Sequence, residues 1–141
     1  MDFDRYTVVL LVTPDDPPQL SAEQAERLQD AHLSHLADLH DRGVLLAAGP
    51  LGDPSNERGD PGKRPGDSGE HPGDSGENPR RPRQYRGLSI LRCEPDEALR
   101  LKSEDPAVQA GVFKLVAMPW MLPAAAIHFT PTTFPRSTRD V

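Results

Sequence analysis

Cysteine is nearly absent, since Cys93 is the single one in 141 residues. A lone thiol excludes an internal disulfide framework and a zinc site built on several thiolates, and it makes a reducing, cytoplasmic setting the expectation. Long apolar runs are missing as well. No stretch approaches the roughly 18 apolar residues that cross a bilayer, so no membrane partner is expected. The opening MDFDRYTVVLLVTPDD is acidic where a secretory leader is basic. Positive charge is also short: 16 Lys and Arg stand against 22 Asp and Glu, for a net charge of −6, and no basic stripe runs along the chain. Affinity for nucleic acid rests on Lys and Arg neutralising phosphates, so no nucleic-acid partner is expected. A small molecule or another protein remains.

The apolar residues that are present are unevenly placed. From Asp53 to Gln84 there is no Ala, Val, Ile, Leu, Met, Phe, Trp, Tyr or Cys. The remainder is roughly 45% apolar, an ordinary value for a domain that buries a core. Inside the polar stretch, PGDSGEH (65–71) is followed at once by PGDSGEN (72–78), a tandem heptad too short to build a repeat architecture. With nothing apolar to offset ordering entropy, 53–84 is expected to be a disordered loop inserted in a single domain that spans 1–141.

Outside that loop the pattern alternates between strand and helix. Tyr6 to Val12 is β-branched and apolar on both alternating faces, which predicts a strand covered on two sides. Ser21 with Gln24 three residues on forms a capping-box signature, and Gly43 is a natural helix stop. Between them Ala25, Leu28, Leu36 and Leu39 all fall within about 40° of His32 at the helical step, which sets His32 in the middle of the buried stripe. His35 and His40 flank it. Val44–Pro50 and Tyr85–Cys93 read as further strands, Asp96–Ser103 as a short helix opened by Pro95, and Val112–Met118 as the last strand. From Pro119 on, and over the extension 121–141, four prolines predict irregular chain, with Ala124–Phe129 apolar enough to dock. The order β-α-β-loop-β-α-β predicts a ferredoxin-like α+β fold: βαββαβ with a four-stranded antiparallel sheet and both helices on one face. The other face is left for a second copy of the chain, which predicts a homodimer.

Three segments resemble the YCII-related proteins, small members of the dimeric α/β-barrel superfamily: AHLSHLADLHDRGVLLAAGP (31–50), GLSIL (87–91) and SEDPAVQAGVF (103–113). The insert is longer than the loop usual at that place, and the tail extends beyond the compact members. The resemblance implies an active-site pair made of a helix His and an Asp before Pro, which map onto His32 and Asp105. It also puts Gly49 and Pro50 in a pocket wall, and His35, on the flank of the His32 stripe, is expected to join them in binding substrate.

An imidazole accepts and returns protons near neutral pH, and a carboxylate fixes its tautomer and stabilises its cation. The pair therefore points to proton transfer on a small organic molecule, as in an isomerase or lyase; a non-catalytic ligand-binding or regulatory module built on the same pocket is the alternative. Each residue also has a structural reading. His32 alone could be a core histidine bonded to a carbonyl, and Asp105 a turn residue. Gly49-Pro50 terminates a strand, and Trp120 reads as a packing anchor at the dimer edge. Cys93, without an assigned base, reads as inert. His32, His35 and His40 lack a third ligand, so no metal is expected, and no cofactor motif is present.

Overall fold

The computed structural model describes residues 1–54 and 83–141. Four strands form one antiparallel sheet: β1 (Phe3–Val12), β2 (Leu45–Pro50), β3 (Tyr85–Leu91) and β4 (Lys114–Pro123), in the order β2-β3-β1-β4. Three helices accompany them: α1 (Ala22–Asp41), α2 (Pro95–Lys102) and the short α3 (Pro106–Gln109). This is the ferredoxin-like α+β arrangement expected from the sequence. The disorder expected for 53–84 falls, over 55–82, outside the described residues. The ends of the insert are tied to the sheet, for Thr13 N–H donates to the Gln84 carbonyl at 2.9 Å and the Arg83 guanidinium donates to the Leu51 carbonyl at 3.0 Å.

Local chemistry explains the helix ends. The Ser21 hydroxyl accepts from Gln24 N–H while the Gln24 side chain accepts from Ser21 N–H, so both halves of the capping box form. Gly43 follows the helix at φ +79°, a left-handed position that a residue without Cβ adopts at no cost. The buried stripe of α1 consists of His32, Leu36, Ala37 and Leu39. Ala25, placed on that stripe by periodicity, is exposed. The core lies between the helices and one sheet face, where Val9, Leu36, Leu39, Leu45, Leu91, Ala98 and Leu101 meet.

The opposite sheet face carries an apolar ladder. Val8 pairs with Ile90 and with Met118, and Leu10 pairs with Leu88 and with Val116. Val116 and Met118 on this face are 41% and 39% exposed.

Two features differ from the sequence-based expectation. β4 runs on to Pro123 and β1 begins at Phe3, with Pro119 opposite Thr7 and Pro123 opposite Phe3. The prolines were read as ending the strand, but β4 is an edge strand. Two prolines an even number of residues apart turn their missing N–H groups to the same side, and on an edge that side needs no partner. The second difference is α3, a single turn that Asp105 caps with its own side chain.

Candidate functional site

His32 and Asp105 come from elements 73 positions apart and meet. His32 is 6% exposed and Asp105 0%, and Nδ1 of the ring lies 2.5 Å from Oδ2 of the carboxylate. Position 105 is the N-cap of α3, where extended backbone aims the side chain back at the helix: Oδ1 accepts from Ala107 N–H at 2.9 Å. One oxygen is thus fixed by the backbone and the other by the ring. A carboxylate only accepts, so Nδ1 is the donor in this contact. One side chain therefore both caps α3 and meets His32.

Beside the pair lies a cavity of about 460 Å³, within the usual range for small-molecule sites. His32, Gly49 and Pro50 line it, the latter two at the end of β2. Leu11, Leu33, Leu36, Ala48 and Phe113 give it apolar walls, and the Phe113 ring centroid is 5.7 Å from that of His32. His35 is not part of this lining. Its Nε2–H donates to the Leu101 carbonyl at 3.1 Å, and burial lowers its pKa, against the opposing pull of the Asp105 charge. It holds α1 to α2 as a neutral ring, and the helical step that set it near His32 did not show this carbonyl. His40 has a similar role: Nδ1–H donates to the Leu45 carbonyl at 2.7 Å, and Nε2 accepts from Thr132 N–H at 3.2 Å. Among the described residues no group of three or more His, Cys, Asp or Glu is arranged to hold a metal ion.

Several contributors escaped the sequence reading. Lys102 is fully buried, donates from Nζ to the Ser89 hydroxyl at 3.2 Å and sits near Asp105; burial pushes its pKa down to about 8, with the Asp105 charge opposing. Ser89 lines the cavity floor. Arg83 and Arg86 line it from the β3 side. The tail supplies another wall through Phe134, Pro135 and Thr138. It is strapped to α1 by Arg136, which reaches Asp38 at 2.8 Å and Asp41 at 2.7 Å, by Thr138 N–H to Asp30 at 2.7 Å, and by Phe134 stacked on His40 at 4.0 Å. Asp38 and Asp41 share a face of α1 and offer a docking point for a cation, a signal legible in the sequence once a partner is known. Cys93 has its pKa raised by burial, which keeps it a thiol and fits the inert reading. Trp120 lies 6.5 Å from Tyr6 across β1 and β4, and Phe129 of the tail packs edge-on against Tyr6 at 5.2 Å.

These features define a class: a small ferredoxin-like α+β domain with a His–Asp pair at the edge of a mostly apolar pocket between sheet, first helix and tail. The family model of the YCII-related domain matches residues 7–120, and the chain belongs to that family. A comparison with curated proteins finds no match. Among the described residues no helix is long and apolar enough to cross a membrane.

Proposed function

We propose that this chain is a small-molecule enzyme of the isomerase or lyase type, in which His32 moves a proton and Asp105 orients it. The observation that carries the reading is the buried 2.5 Å contact between His32 Nδ1 and Asp105 Oδ2 at the wall of an open pocket. A histidine kept for packing alone would be bonded to a backbone carbonyl, as His35 and His40 are. With Nδ1–H held by the carboxylate, Nε2 is the base. It takes a proton from the substrate, the resulting imidazolium is stabilised by Asp105, and the proton returns at another atom or to a leaving group. Apolar walls keep water from competing for it. Gly49 and Pro50 shape the rim where the substrate lies. A cytoplasmic setting suits the single unpaired thiol.

The test is deuterium incorporation from D₂O into a panel of small enolisable acids and lactones, followed by proton NMR. His32→Asn should lower exchange by about 10²–10⁴-fold, the usual contribution of a positioned acid–base group, and leave the fold intact. Asp105→Asn should lower it less. Binding of a panel member without any exchange by the unaltered protein would leave the non-catalytic module standing.

The second part of the proposal is a homodimer through the helix-free sheet face. The ladder of Ile90, Val8 and Met118 beside Leu88, Leu10 and Val116 supports it, since a lone sheet would show polar side chains there. A two-fold axis through such a face brings the same residues together from both copies. Sedimentation at low micromolar concentration should give twice the 15.5 kDa chain mass. Met118→Glu, at a site already 39% exposed, should leave the fold unchanged and yield a monomer. A monomer before any substitution would refute the arrangement.

A further inference from the structure

We propose that Arg86, assisted by Arg83, holds the carboxylate of a small organic acid in the His32 pocket, so that the substrate class is an anionic molecule with an apolar body. This rests on the reading of that pocket as the substrate site. The lining carries two guanidinium groups, and none of the described lining residues has an acidic side chain.

The position of Arg86 follows from an irregularity in the sheet. Leu11 pairs with Gly87 and Val12 with Tyr85, so Arg86 is an extra residue on β3, a bulge. By simple alternation Arg86 would share the outer face with Leu88 and Ile90. A bulge re-aims a side chain, and this one lays the Arg86 guanidinium over the Phe113 ring at 5.6 Å from its centroid. Phe113 also neighbours His32, so the cation and the proton carrier flank one aromatic ring. A guanidinium held against the ring still has N–H groups for a planar, two-oxygen acceptor.

Two observations fit an anionic acceptor at this guanidinium. Arg86 Nε is buried and makes no hydrogen bond among the described residues. Burial and the like charge of Arg83 both lower the Arg86 pKa, so an anion beside the guanidinium would favour its charged form. A carboxylate held there runs its apolar portion along Phe113, Leu33 and Leu36, with its reacting carbon on the His32 side.

The test uses benzoate and its neutral isostere benzamide as probes. Binding to the full chain at pH 7 is followed by NMR on the ring signals of Phe113 and His32. Benzoate should bind at least tenfold tighter than benzamide. Arg86→Gln should abolish that preference without changing benzamide binding, and Arg86→Lys should recover part of it, since charge returns without the fork. A thermal unfolding midpoint within a few degrees of the unaltered protein separates loss of binding from loss of fold. Deuterium exchange by the unaltered protein is read separately, so failure of the proton-transfer reading would leave the benzoate result in place. Equal affinity for the two probes, no benzoate binding, or benzoate binding indifferent to Arg86→Gln would each overturn the proposal.

Discussion

Asp105→Ala is expected to destabilise the protein by about 3–5 kcal/mol, a large share of the roughly 5–15 kcal/mol that holds a domain of this size. The carboxylate is wholly buried and serves three neighbours at once. Its Oδ1 caps α3 at Ala107, a contact type worth about 1 kcal/mol. Its Oδ2 receives Nδ1–H of His32, and truncation leaves that buried donor unpaired at about 1–3 kcal/mol. Its charge also offsets part of the burial cost of the Lys102 ammonium. Asp105→Asn should behave differently. The amide oxygen still caps Ala107, so stability should fall by about 1 kcal/mol. The amide NH₂ then faces His32 and favours the tautomer with its proton on Nε2, so only the minor tautomer keeps a basic Nε2 and exchange falls, though less than in His32→Asn. Urea unfolding of the two variants, read with deuterium exchange, gives the comparison. Equal stability losses below about 1 kcal/mol for both would mean that this carboxylate does not organise the cluster.

The parts of the site that were legible are those set by local periodicity. His32 could be placed on the buried stripe because the 3.6-residue period of α1 runs through Leu36 and Leu39, and Pro106 marks Asp105 as a non-helical position, though not as the cap of α3, a helix that was not expected. What was not legible depends on where a strand sits and which partner it has. Pro119 and Pro123 stop a central strand but are harmless on an edge, and nothing local to 114–123 says that β4 is one. Arg86 is misplaced by strict alternation because a bulge shifts everything N-terminal to Gly87 by one face. The tail contacts join Arg136 to acids about a hundred residues earlier, and such pairs leave no periodic trace. Lys102 is an intermediate case. Ala98, Leu101 and Lys102 follow the i, i+3, i+4 spacing of one buried helix face, so its burial was open to the same wheel that placed His32.

Lys102 carries the remaining large effect. Its side chain is fully buried, and burial lowers its pKa to about 8 from an ordinary value near 10.5. Below about pH 8 the folded and unfolded chains both hold the proton, and the native state bears the whole cost of the buried charge, about 3 kcal/mol for a shift of this size. Between about 8 and 10.5 the unfolded chain binds a proton that the folded one does not, so this group makes stability rise with pH across that window. Above it the penalty is gone. Lys102→Met should therefore raise stability at pH 7 by about 2–3 kcal/mol, somewhat less than the full penalty because Asp105 loses a cationic neighbour and Ser89 a donor. The advantage should shrink steadily as the pH climbs and disappear near pH 10.5. Urea midpoints of the two proteins at intervals from pH 6.5 to 10.5 measure it directly. Parallel profiles, or a Lys102→Met protein that is the less stable one at pH 7, would show that the ammonium is compensated inside the fold, with the Ser89 hydroxyl and the Asp105 charge together replacing its lost hydration.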